Sequence, residues 1–135
     1  MLLDEIGAYL VAQGIATDPG SLFKGWVPDG TGVPDDVVVL LQLPGEPNVY
    51  TFGGGQAAIE KPRLKVIVRN TDSSTAESLC GQVARSLEVV ANQSLSGTWY
   101  DHILVVRGPY QQPPYRDHKP RWLWAVEFRI QKAPS

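Results

Sequence analysis

The segment from Trp122 to Ile130 alternates strictly. Trp122, Trp124, Val126, Phe128 and Ile130 fall on one side of an extended backbone, and Leu123, Ala125, Glu127 and Arg129 on the other. A period of two fits a β-strand and defeats a helix, whose apolar positions recur three and four residues apart. A strand so patterned needs neighbouring strands and a cover for its apolar face. The cover is legible upstream. Ala76, Leu79, Cys80, Val83, Leu87, Val90 and Ala91 form one apolar stripe at helical spacing, with Glu77, Gln82, Arg85 and Glu88 mostly off it. Ser74 and Glu77 have capping-box spacing at its start, and Asn92 suits its end.

Other segments fill in the sheet. Leu2, Leu3, Ile6, Tyr9 and Leu10 predict an N-terminal helix, closed by Gly14 as its C′ residue with Ile15 packing behind. Leu22 to Val27 reads as a short strand. Val37 to Leu41 is a continuous, largely β-branched run, expected to be buried on both faces. Leu64, Val66 and Val68 alternate with Arg63, Lys65 and Arg69, which predicts a half-buried strand with a basic outer face interrupted by Ile67. Ser96-Gly97 is a turn, and a strand follows from Trp99 to Arg107. The order helix, strand, strand, strand, helix, strand, strand predicts an α+β fold, a mostly antiparallel sheet with two helices packed on one face. Residues 1–135 read as a single domain with long loops at 28–36, 44–62 and 108–121.

Composition removes several function classes. A chain of 135 residues with one Cys and two His has no intramolecular disulfide framework and no all-Cys/His zinc site. A net charge of −2 argues against a protein that tracks phosphates. Met1-Leu2-Leu3 runs straight into Asp4 and Glu5, unlike a secretory signal, and apolar runs such as Val37 to Leu41 are too short to span a bilayer. Synthesis in a cytoplasm, or in an assembly built there, is the expectation.

Few residues suggest chemistry. Asp101-His102 and Asp117-His118 resemble base-orienting pairs, but neighbours on a strand point to opposite faces, so surface histidines are expected. Cys80 lies on the apolar stripe, past the first helical turn, and reads as a buried inert thiol. Gly53-Gly54-Gly55-Gln56 lacks the Lys-Ser/Thr ending of a phosphate loop. Asp29, Asp35 and Asp36 lack calcium-loop spacing, and turn formation accounts for them. No catalytic residue, metal or cofactor is assigned. A single-stranded nucleic-acid module is an alternative, with Arg63, Lys65 and Arg69 beside Trp99, Tyr100, Trp122 and Trp124 as stacking platforms. Trp26, Tyr50, Phe52, Tyr110 and Tyr115 lie in or beside Gly- and Pro-rich loops, where aromatic residues serve as interface anchors or fold back on their own domain.

The runs Leu22–Asp29 and Pro34–Leu40 resemble the phage minor capsid proteins also described as tail terminators. So do Pro47–Gly53 leading into Ile59–Val66, and the Tyr/Pro loop followed by Arg116-Asp117 and Arg121–Phe128. The resemblance covers nearly the whole chain, and its motifs are structural. It implies a non-enzymatic virion protein of a long-tailed phage, made in the host bacterial cytoplasm. Such proteins form a homo-oligomeric ring, commonly a hexamer, at the head–tail junction. The ring ends tail-tube polymerisation and meets the head connector, while genomic DNA passes through without sequence-specific binding. The implied partners are the tail tube protein and the connector or stopper protein, and no membrane. A neighbouring neck or stopper role is the alternative within that assembly. Interface candidates are Trp26, Tyr50, Phe52, Gly53, Gly54, Gly55, Tyr110, Tyr115 and Arg116. A cyclic ring needs two different patches on each subunit.

Overall fold

Alternation becomes geometry in a six-stranded sheet. The computed structural model describes residues 2–16, 21–25, 34–50, 57–116 and 121–134, with backbone alone at 49–50, 57–58 and 113–116. The elements are α1 (Leu2–Ala12), β1 (Leu22–Lys24), β2 (Val37–Tyr50), β3 (Ala57–Asn70), α2 (Ser73–Glu88), β4 (Ala91–Leu95), β5 (Thr98–Arg116) and β6 (Trp122–Lys132). The strand order is β1-β2-β3-β6-β5-β4. β1 runs parallel to β2, and every other pairing is antiparallel. This is the expected α+β architecture, with one strand, β4, that the sequence reading folds into the end of the second helix. None of the described helices is long and apolar enough to cross a membrane.

One face of the sheet holds the main core. Val38 and Leu40 of β2, Leu64, Val66 and Val68 of β3, and Val126, Phe128 and Ile130 of β6 pack there. Ile6 and Leu10 of α1 cover them, with Ala76, Cys80, Val83 and Leu87 of α2. Each such aliphatic side chain contributes about 1.5–3 kcal/mol by leaving water. The opposite face carries a smaller cluster of Val37, Val39, Ile67 and Ala125, against which Phe23, Leu41, Tyr110 and Leu123 are packed. The strand register lines part of it up as one row: Phe23 opposite Val39, Val39 opposite Ile67, Ile67 opposite Ala125, and Ala125 opposite Tyr110. Val37–Leu40 is thus buried on both faces, as its continuous apolar run predicts.

The helix ends follow from local chemistry. Gly14, at φ +76°, donates to the Val11 carbonyl, and the Ile15 amide donates to the Leu10 carbonyl. These two bonds make a Schellman C-terminus, with Gly14 at C′ as expected. The N-cap of α2 is Asp72, not Ser74. Its carboxylate accepts from the Thr75 amide at 3.2 Å and the Thr75 hydroxyl at 2.6 Å. Both bonds favour the ionised form and hold the Asp72 pKa below its ordinary value. Ser74 therefore lies inside the first turn, and the Ser74/Glu77 capping box is replaced by an aspartate cap. α2 stops at Glu88, and the chain turns into β4, whose hairpin to β5 passes through Ser96 and Gly97, both at positive φ.

Two segments expected as long loops are largely strand. Residues 44–50 and 57–62 extend the β2–β3 hairpin, and residues 108–116 extend β5 beside β6. Prolines and glycines suggest a loop, but here they stand in bulged strands. The register shifts between Leu43 and Tyr50, and again between Val105 and Arg116. β1 pairs only with Val38–Leu40, and β4 only with Thr98–His102. Pro44, Pro47 and Pro109 thus lie in lengths of β2 and β5 that have a described strand on one side only, where a missing N–H is tolerated. Gly45 is required by close approach: a Cβ there would sit 2.3 Å from the Lys61 carbonyl oxygen and 2.9 Å from the Pro62 Cα. Of the third expected loop, 28–36, residues 34–36 are described and precede β2, and the rest lies outside the described residues.

Two outcomes check this account. Gly45→Ala is expected to destabilise the fold by about 1–3 kcal/mol, measured by urea unfolding, because backbone must move to admit the methyl group. Asp72→Ala is expected to lower the urea midpoint at neutral pH. The deficit is present above the ordinary aspartate pKa and fades as pH falls through the depressed one.

Candidate functional site

The sheet face away from the helices is where unexplained chemistry gathers. Strand alternation places Arg63, Lys65 and Arg69 of β3 on this face together with Glu127 and Arg129 of β6. Arg107 of β5 stands opposite Glu127 and lies 3.8 Å from its carboxylate. Arg129 lies 3.5 Å from Glu46 of β2, which is paired with Lys61. Apart from Arg69, which is buried, the cations of this face are half-buried or exposed.

Its two ends differ. At the end where β6 begins, Arg69 is 1% exposed and donates from Nε to the Asp35 carbonyl at 3.1 Å and from Nη2 to the Pro34 carbonyl at 3.0 Å. Arg121, equally buried, meets the Asp35 carboxylate at 3.4 Å. Asp36 accepts from the Thr71 amide at 3.2 Å. These bonds clasp residues 34–36 to the sheet, so Asp35 and Asp36 are tethers, and Arg69 is withdrawn from the basic surface expected of it. At the other end Trp99 is 47% and Leu104 43% exposed, although both are large and apolar. A groove of about 290 Å³ lies beside them, lined by Glu46, Lys61, His102, Leu104, Arg129 and Gln131 among others.

The residues singled out for chemistry take structural places. Cys80 is buried, and desolvation pushes its thiol up to about 12, which keeps it protonated and unreactive at neutral pH. Asp101 accepts from the Trp99 indole and the Gln131 amide, both at 3.0 Å, and those bonds, not His102, engage its carboxylate. His118 lies outside the described residues. Among the described residues, no group of three or more His, Cys, Asp or Glu is placed to hold a metal ion. The aromatic platform for nucleic acid divides between faces. Tyr100 is fully buried on the helix side, and Trp124 packs against the same core and reaches Ser73.

The interface candidates scatter in an informative way. Tyr110 is half-buried in the apolar row of the outer face and donates to Glu127 at 2.6 Å. Burial and that carboxylate push its phenol up to about 12. Tyr50 ends β2, while Tyr115 and Arg116 end β5, with Arg116 paired to Trp122. β3 begins near the end of β6, and β6 begins near the end of β3, so these two hairpins reach opposite ends of the sheet. Trp26, Phe52, Gly53, Gly54 and Gly55 lie outside the described residues.

Sequence reasoning misses a second polar constellation, under α1. Glu5 is 5% exposed and accepts from the Tyr100 hydroxyl at 2.8 Å and from the Thr98 hydroxyl. Burial, reinforced by that carboxylate, pushes the Tyr100 phenol far above its ordinary value. Nearby, buried Lys132 donates to Glu60 at 2.9 Å. Glu5 follows Asp4 in the first turn, where acidic residues are ordinary start signals; its spacing of three and four residues from Leu2 and Tyr9 is the signal that could have marked it as inward-facing.

Comparison with known proteins gives two findings. A family model described as bacteriophage tail terminator protein matches residues 9–134. A chain from a solved structure titled "Virion of native gene transfer agent (GTA) particle" superposes with a TM-score of 0.62 at 16% identity, covering 98% of this chain and 95% of that one. That identity makes it a likeness of fold. Among curated protein sequences, none matches significantly.

The clasp has a measurable consequence. Arg69→Met is expected to lower stability by about 2–3 kcal/mol in chemical denaturation, because charged donors to the Pro34 and Asp35 carbonyls are lost.

Proposed function

Since the chain belongs to the bacteriophage tail terminator family, we propose that this structural tail protein forms a ring at the head-proximal end of the tail. There it ends growth of the tail tube and joins the tail to the head connector. The family match across residues 9–134 carries the reading. The architecture supports it. The β2–β3 and β5–β6 pairs run toward opposite ends of one sheet, which suits a subunit that meets the tube on one side and the head on the other. Tyr50, Phe52 and Gly53–Gly55 belong to the first hairpin and its connection. Tyr110, Tyr115 and Arg116 belong to the second, and Trp26 follows β1. Chemistry at the site is binding chemistry: half-buried aromatics, arginines in ion pairs and a shallow groove suit protein contact. Genomic DNA would pass the ring without sequence readout, in keeping with a chain whose net charge is −2.

Deleting the gene and imaging the particles tests the proposal. The expected result is tails of unregulated length and heads without tails, both restored by the protein supplied in trans. Tails of normal length joined to heads in its absence would overturn the reading. Tails of normal length that fail only to join would move the protein to a neck position.

A further inference from the structure

The two broad faces of this subunit carry opposite charge. Lys61, Arg63, Lys65, Arg107 and Arg129 stand on the outer sheet face against three acids, Glu46, Asp101 and Glu127. The helical layer is the reverse. In that layer Glu5 is buried and Asp4 is ion-paired with Lys24 of β1, while Asp72, Glu77 and Glu88 are exposed at α2 with Arg85 as that helix's one cation. Each face also leaves apolar side chains in water. Trp99, Leu104 and Val106 are exposed along β5, while Val11 on α1 and Val89 at the end of α2, 68% exposed, are open on the helical side. Isolated exposed apolar residues are ordinary, but apolar groups set within complementary charge fields are the composition of a docking surface.

We propose that the outer sheet face of one copy docks on the helical layer of a second copy. The inference rests on the ring reading and supplies its interface. The two surfaces are different patches on one subunit, which is what a head-to-tail interface requires. A self-complementary two-fold contact fits poorly, because it would bring basic face to basic face or acidic face to acidic face. Edge-to-edge strand pairing along the half-free lengths of β2 and β5 fits poorly too, although the edge strands β1 and β4 contain no proline. The half-free lengths of β2 and β5 contain Pro44, Pro47, Pro109, Pro113 and Pro114, and these offer no N–H to an incoming strand. The contact is therefore made through faces: cations of β3, β5 and β6 meet Glu77 and Glu88, and Leu104 and Trp99 leave water against the partner's helices.

A charge-reversal cross tests this. One variant carries Arg63→Glu and Arg107→Glu, and the other carries Glu77→Arg and Glu88→Arg. These positions are half-buried or exposed, and circular dichroism and thermal melts verify that each variant folds. Mass is read by light scattering on the isolated proteins, or by incorporation into particles if the isolated wild type is monomeric. Each variant alone is expected to lose assembly at least tenfold, since its two faces then share one sign. Mixed in equal amounts they are expected to recover it, because each presents the sign the other lacks. Assembly of either variant at the wild-type level, or no recovery on mixing, overturns the inference while leaving the ring reading standing. A wild-type chain that neither self-associates nor enters particles overturns the ring reading, and this interface with it.

Discussion

Side chains leave a β-strand on both sides, and only one side of this sheet has helices to cover it. Much of the rest depends on that asymmetry. The helix side became a continuous core in which β2, β3 and β6 contribute successive inward residues beneath α1 and α2. The other side had to be finished by the sheet itself. An apolar row runs across it from Phe23 to Tyr110, and one end is closed by the bonds from Arg69 and Arg121 to Pro34 and Asp35. What remains uncovered is where Trp99, Leu104 and the groove beside His102 lie. The proposed docking surface is therefore the part of the sheet that the fold did not need for itself.

Polar groups in the interior act as position markers. Glu5 ties α1 to Thr98 and Tyr100 of β5, and the Tyr9 hydroxyl donates to the Ser86 carbonyl of α2 at 2.8 Å. Hydrophobic packing sets how close a helix lies on a sheet but leaves its sliding and rotation loosely defined. A buried carboxylate with two hydroxyl donors fixes both, since any shift leaves unmatched polar atoms in a dry place. The tail terminator family membership and the likeness to a gene transfer agent virion chain concern this same two-layer frame.

The legible parts of the fold were those in which one period governed a whole element. β6 and α2 each keep a single repeat along their length, so their inward faces could be read directly. Val37–Leu40 was equally clear, as a run with no polar side. Legibility failed where a local exception broke the period. Bulges in β2 and β5 absorb Pro44, Gly45, Pro47, Gly108 and Pro109, residues whose usual meaning is a loop. β4, from Ala91 to Leu95, has no β-branched residue to announce it. Arg69 was placed on the correct face, but alternation cannot say that a distant segment will fold over it. The exposed Leu104 and Val106 were hidden for a related reason, since a strand of apolar residues looks the same whether or not something covers it. Of the interface candidates, Tyr50, Tyr110, Tyr115 and Arg116 were read as loop residues and stand in β2 and β5, and the reach of two hairpins to opposite ends emerged only once the register was known.

The prolines of β2 and β5 have a further consequence. A sheet with open edges is a template, and copies that add edge to edge have no intrinsic reason to stop. Runaway fibres are the usual failure of such surfaces. A proline has no N–H to offer an incoming strand, and the register shifts around Pro44, Pro47 and Pro109 interrupt the regular row such a strand would need. A chain whose family is named for ending a polymer is thus itself poorly suited to start one. If copies associate through the proposed faces, the fixed angle of that contact, and not strand addition along β2 or β5, decides whether the assembly closes.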